Sequence, residues 1–309
     1  WECGDFEWIS FYGRHSMEMN FQREGIHHGI QAIGSVRGTS SHQYNPFVIL
    51  CEKGADETMG SCYGFSFVYS GEFLIEAEKD QLDRTRLICG IHPDNFSWTL
   101  QGGDSFWVPE VMMTHSGNGT GKVSRNFHKT IREHICRGEW KDRQRPILIN
   151  NWEATYFNFT GEKLIAIAKE AKKLGIELFV MDDGWFGKRE DDCSGLGDWF
   201  PNEKKLGCTL KELAECIVTE GMQFGIWLEP EGISEDSDLY RNHPDWAVVI
   251  PGRKPCLSRG QLILDFSRKD VQDYIIKRIS ELLGGIPVTY VKWDCNRAIC
   301  DKFSRMLDS

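Results

Sequence analysis

The chain has 309 residues, with 36 Lys and Arg against 46 Asp and Glu and a net charge of −10. That balance argues against a nucleic-acid partner, because such affinity comes largely from basic side chains that neutralise phosphates. At 40% hydrophobic and 27% charged residues the composition is globular, with chain enough for about two domains. No apolar run approaches the roughly 20 residues that a membrane crossing needs. Trp1 opens among acidic residues without the basic and apolar stretches of a secretory leader, and a first residue other than Met reads as a fragment or processed form. Eleven cysteines, at positions 3, 51, 62, 89, 136, 193, 208, 216, 256, 295 and 300, show no Cys-x-x-Cys spacing. An odd, scattered set fits reduced thiols in a cytoplasmic protein better than a disulfide framework or a zinc ribbon. The 11 Trp and 18 Phe hint at sugar binding, since a flat ring suits the apolar face of a pyranose.

Residues 1–121 read as a β-sandwich domain. Runs at 47–50, 63–69 and 73–77 are separated by Gly, Asp and Asn turns, and 62–68 partly alternates polar and apolar side chains. From 122 to 144 the spacing of Val123, Phe127, Ile131 and Ile135 predicts one helical stripe, closed by Gly138, as a connector between domains. From 145 to 309 strands alternate with helices. Strands are predicted at 146–150, 176–181, 222–228, 262–266 and 288–293, and helices at 161–174, 210–220 and 270–283. Such βα units imply a parallel sheet. Polar residues gather at the strand ends, and Asn150-Asn151-Trp152 stands where a doubly wound sheet would carry a Gly-rich phosphate turn. The expected architecture is therefore a (β/α)8 TIM-type barrel. A complete barrel takes about 250 residues, so this one is expected to be truncated at its C-terminal side.

The densest chemistry lies in Tyr290-Val-Lys-Trp-Asp-Cys-Asn296. Strand alternation points Tyr290, Lys292, Asp294 and Asn296 one way. An isolated Lys-x-Asp is commonly a surface ion pair. With an Asn two further on and a barrel context, Asp294 reads instead as a nucleophile, since an adjacent ammonium favours a charged carboxylate. Asp182-Asp183, followed by Trp185 at a strand end, can turn two carboxylates towards vicinal hydroxyls. Trp227-Leu-Glu-Pro-Glu231 supplies a pocket wall in Trp227, while Glu229 and Glu231 divide evenly between support and direct contact. Trp152 suits core or pocket alike, and a lone loop Arg such as Arg259 usually faces solvent. His27, His28, His42 and His128 lack ligand spacing. No metal or cofactor is expected.

Taken in order, Asn150–Tyr156, Asp182–Gly187, Trp227–Glu231, Ser237–Arg241 with His243–Trp246, and Lys292–Arg297 make the chain resemble the bacterial α-galactosidases of glycoside hydrolase family 36. Residues 34–47 and 63–71 resemble that family's sandwich domain. The resemblance implies retaining hydrolysis of terminal α-galactosides of the raffinose or melibiose type, with Asp294 as nucleophile. It implies that Trp152, Asp182, Asp183, Trp227, Arg259, Lys292 and Asn296 hold the galactose, the Arg259 role resting on the resemblance alone. Oligosaccharide α-galactosides are the implied partners, and a homo-oligomer the implied assembly. The family's general acid/base and its glycine-rich contact to the sugar 2-position have no counterpart here. The chain by itself is therefore expected to have little turnover. A transglycosylase, an α-N-acetylgalactosaminidase and a non-catalytic galactoside-binding protein are the competing readings.

Overall fold

A computed structural model describes residues 1, 5–94 and 96–306; Cys3 lies outside the described residues. The chain divides into two compact units, Trp1–Arg143 and Gln144–Ser309. Among the described residues no helix is long and apolar enough to cross a membrane.

The first unit runs through β1 (Phe6–Arg14), β2 (Met17–Gly25), β3 (Gly29–Ser35), β4 (Phe47–Glu52), β5 (Cys62–Phe67), β6 (Phe73–Lys79), β7 (Thr85–Ile91) and β8 (Val111–Ser116). These form a five-stranded sheet, β2-β1-β4-β5-β8, and a three-stranded sheet, β3-β6-β7. Alternation puts Phe6, Trp8, Val48, Leu50, Phe65 and Phe67 of the first sheet into one buried cluster with Ile33, Phe73, Ile75 and Ala77 of the second, which is the core of a sandwich. The opposite face of the five-stranded sheet buries Ile9, Ile49, Cys51 and Cys62 under α1 (Gly119–Thr130). A Cβ on Gly64 would stand 2.6 Å from both Val123 and Phe127, so the missing side chain there is what lets the helix close on the sheet. Only the first half of the predicted stripe is buried: Val123 and Phe127 are covered, while Ile131 and Ile135 are exposed. The helix widens into a π-turn over Ile131–Ile135, and its longer repeat rotates those two side chains off the sheet. This helix packs on the first unit's own sheet.

The second unit contains β9 (Leu148–Asn150), α2 (Trp152–Thr155), α3 (Gly161–Lys173), β10 (Leu178–Met181), α4 (Glu203–Leu206), α5 (Leu210–Thr219), β11 (Gln223–Leu228), β12 (Gly232–Ser234), α6 (Asp238–Asn242), β13 (Gln261–Ile263), α7 (Lys269–Gly284) and β14 (Val288–Trp293). Strands β9, β10, β11 and β14 form one sheet in sequential spatial order, every pair parallel. That is the arrangement of consecutive βα units. Helix starts are written in the sequence. Thr160 accepts from the Lys163 N–H, and Thr209 with Glu212 forms a reciprocal capping box. One predicted strand falls elsewhere: the 262–266 segment contributes β13, which pairs antiparallel with β12. Because β14 bonds directly to β11, the sheet has no place for it, and it lies in the long excursion between β11 and α7.

Candidate active site

The parallel register builds the site in layers. Val180, Gly225 and Tyr290 are aligned neighbours on β10, β11 and β14. Two residues further on, the same face carries Asp182, Trp227 and Lys292, just where the strands end. Burying Asp182 beside a lysine is tolerable because the two are paired. Lys292 Nζ donates to Asp182 Oδ2 at 2.7 Å, and Asn150 Nδ2, from the end of β9, donates to the same oxygen. Asn150 Oδ1 in turn accepts from the Trp152 backbone N–H at 2.8 Å. Asn151, fully buried, accepts from the Asp182 N–H at 2.8 Å. Three strand ends are thus tied through one carboxylate.

Asp294 extends the β14 ladder by one residue, its N–H donating to the Leu228 carbonyl at 2.8 Å. Its Oδ2 accepts from Trp227 Nε1 at 2.9 Å and from Asn296 Nδ2 at 2.6 Å. Its Oδ1 accepts from the Cys295 backbone N–H at 3.1 Å. Trp227 is held edge-on by this bond and lies parallel to Phe186, 6.2 Å away, with its own carbonyl accepting from Trp185 Nε1 at 3.1 Å. Behind this group the buried Glu229 accepts from the Asn296 backbone N–H at 2.8 Å. Burial pushes the Glu229 carboxyl above its ordinary 4.5, with the neighbouring Asp294 charge adding to the rise and the Asn296 N–H opposing it.

Some expected residues sit differently. Lys292 was expected to serve Asp294, yet its ammonium bonds Asp182. Asp183 is 5% exposed and is clamped by Arg189, itself 1% exposed. Arg189 Nε lies 3.0 Å from Oδ1 and Nη2 lies 2.8 Å from Oδ2, a two-pronged geometry suited to a planar guanidinium. Burial raises the Asp183 carboxyl, and the Arg189 guanidinium opposes that rise. Arg259 pairs with Asp192 at 2.9 Å, its backbone in the left-handed region at φ 54°. It reaches the cluster as a charge that acts on Glu229. Trp152 is half-buried, edge-on to Tyr156 and Phe157. The structure therefore gathers Asp294, Trp227, Asn296, Lys292, Asp182 and Trp152 by direct bonds or shared partners. It engages Asp183 with Arg189 and Arg259 with Asp192. Arg189, Asn150 and Asn151 are the site residues that the sequence did not single out as such. Asn150 and Asn151 stood in the sequence as polar residues closing a strand and as part of the Asn150–Tyr156 motif, without a role of their own. Among the described residues no three His, Cys, Asp or Glu side chains are grouped to hold a metal ion.

This geometry coincides with a strong likeness to known proteins. Residues 105–309 match the melibiase family and residues 2–101 match the glycosyl hydrolase family 36 N-terminal domain. A bifunctional α-galactosidase/sucrose kinase, AgaSK, of Mediterraneibacter gnavus is 55% identical over 97% of this chain, which spans 32% of that protein. The crystal structure of the α-galactosidase AgaA of Geobacillus stearothermophilus superposes with a TM-score of 0.98 at 50% identity, over 100% of this chain and 43% of that one. A variant of AgaA crystallised with raffinose gives a TM-score of 0.97 at 50% identity, over 99% and 43%. The chain thus spans about a third to two fifths of the length of these relatives.

Proposed function

This chain belongs to the melibiase family of glycoside hydrolases, and on that premise we propose that the protein hydrolyses terminal α-galactosides with retention of configuration. The observation that carries the reading is Asp294. Two side-chain donors fix one of its oxygens, while the other has a single backbone donor. That freer oxygen attacks the anomeric carbon. The bond to the leaving oxygen breaks as a general acid gives that oxygen its proton, and water then cleaves the galactosyl ester and restores Asp294. Asp182 and Lys292 hold hydroxyls of the sugar. Trp152 and Trp227 wall its apolar face, and Asn296 orients the nucleophile. Asp183, clamped by Arg189, fixes the turn that presents Asp182, and Arg259 closes the rim. Raffinose-type oligosaccharides are the substrates we favour, because an AgaA variant has been crystallised with raffinose.

The second carboxylate of a retaining pair has to stand about 5–5.5 Å from the first. We assign it to no residue of this chain and expect the 309 residues alone to turn over little aryl α-galactoside. The described cysteines are all free thiols, which is our ground for a cytoplasmic setting.

The decisive experiment is trapping with 2-deoxy-2-fluoro-α-galactosyl fluoride, whose leaving group needs no general acid, followed by intact-mass analysis and peptide mapping. One added sugar on Asp294 is expected. A label on another carboxylate overturns the assignment, and none on folded protein means that these residues alone do not form the site.

A further inference from the structure

The fold gathers cysteines that are far apart in sequence. Cys256 opens the loop that carries Arg259, and Cys300 lies six residues beyond Asp294. Both are exposed; the Cys300 thiol lies 3.9 Å from the Ala298 carbonyl, near enough to Cys256 to feel that thiol's charge. The two segments are also joined on either side of the sulfurs. The Cys256 N–H donates to Asp301 Oδ2 at 2.9 Å. On the other side the Cys256 carbonyl accepts from Arg297 Nη2 at 3.1 Å. The same guanidinium, 6% exposed, donates through Nη1 to the Gln261 carbonyl and through Nε to the Ala298 carbonyl at 3.0 Å. Arg297 therefore grips both ends of the 256–261 loop, and Cys256 and Cys300 lie beside that grip.

We propose that Cys256 and Cys300 are a disulfide-forming pair, a reversible modification site that covalently latches the Arg259 loop to the segment after Asp294. The oxidant is a low-molecular-weight disulfide such as glutathione disulfide. One thiolate attacks it and expels a glutathione thiol. The second protein thiolate then attacks the resulting mixed disulfide, expels the second glutathione, and forms the Cys256–Cys300 bond. Two protein thiols are oxidised and one glutathione disulfide is reduced to two thiols, so atoms and electrons balance. The exposed Cys193 and Cys295 are the rival partners. The 297–301 grip favours Cys256 with Cys300, because the Arg297 and Asp301 side chains already hold the Cys256 backbone to the Cys300 segment and little loop entropy remains to be lost.

The test treats the reduced 309-residue chain with glutathione disulfide, alkylates the remaining thiols and maps non-reduced peptides. A linked peptide joining Cys256 to Cys300 in monomeric protein is expected, returned to two free thiols by dithiothreitol. Cys256→Ser and Cys300→Ser should each abolish the link and leave the other thiol free or glutathionylated, whereas Cys193→Ser and Cys295→Ser should keep it. Hydrogen exchange should slow at amides of the 256–261 loop in the oxidised form. Separate glutathionylation of Cys256 and Cys300, or linkage of either to Cys193 or Cys295, overturns the proposal. So does recovery of both as alkylated thiols after denaturation and alkylation of the oxidant-treated protein.

Discussion

Asp182 and Asp183 are adjacent in the chain but belong to two regions that use charge in opposite ways. Asp183 and Arg189 form a closed pair, both almost wholly buried and bonded on two prongs, with Arg189 lying over the Phe157 ring. Asp182 is just as buried, at 3% side-chain exposure, but its partner Lys292 at the strand ends is 37% exposed. A pair buried on both sides has surrendered its water, whereas in the second pair the ammonium keeps water as an alternative and only the carboxylate depends on protein donors. The difference separates a fastening from the surface proposed to bind the sugar, although both begin with the same residue type one position apart.

Four substitutions test this division, the largest expected effect first. Asp294→Asn should lower trapping by the fluorosugar at least about 10⁴-fold while leaving the unfolding midpoint nearly unchanged, because a lost nucleophile acts on the barrier and not on the fold. Intact-mass time courses beside urea unfolding read both effects. Arg189→Met should cost about 3–5 kcal/mol of stability, since it strands Asp183 as a buried unpaired charge. A loss below about 1 kcal/mol in urea unfolding would mean that the two regions do not differ as argued.

Glu229→Gln should leave stability near neutral pH unchanged or slightly higher, because the uncharged amide keeps an acceptor for the Asn296 N–H without burying a charge, and should slow trapping through Asn296. Its pH dependence has a definite sign. Burial raises the folded Glu229 carboxyl above its unfolded 4.5, so the native state holds a proton that the unfolded state has released. Stability therefore falls as pH rises from 4.5 through the raised folded value. The Gln variant should show a shallower decline across that window, and an unchanged slope would assign it to other groups. Lys292→Met is expected to cost the fold less than Arg189→Met, because the buried Asp182 keeps the Asn150 Nδ2 and Asp183 N–H donors when the ammonium is lost. Its trapping rate should nevertheless fall at least about 10-fold. A large stability loss with normal trapping would place Lys292 with the fastenings.

What the sequence disclosed follows from periodicity. Lys292, Asp294 and Asn296 were legible because a strand repeats every two residues, and the four parallel strands because each apolar run ended in polar residues. The sandwich strands β4, β5 and β6 were legible for the same reason. The bond from Arg189 to Asp183 was not, because the loop between them has no period and its path is set by tertiary packing. The pairing of Lys292 with Asp182 escaped for a related reason. It depends on the register of three strands together, and a single strand's alternation gives direction but not reach. The segment 262–266 has the composition of a sheet strand, yet its place was decided by which neighbour β11 already had.

The grip of Arg297 carries a consequence for loop engineering. One rigid guanidinium measures the separation of the Cys256 and Gln261 carbonyls, so the number of residues between them is metered as well as their identity. Gly260, at φ 69° and with a Cβ position 2.7 Å from Cys193 Sγ, has no room for a side chain, whereas substitutions at positions 257 and 258 leave that measure intact. A one-residue insertion or deletion there would force a choice between the two carbonyls, so libraries meant to alter the loop should vary its side chains at constant length.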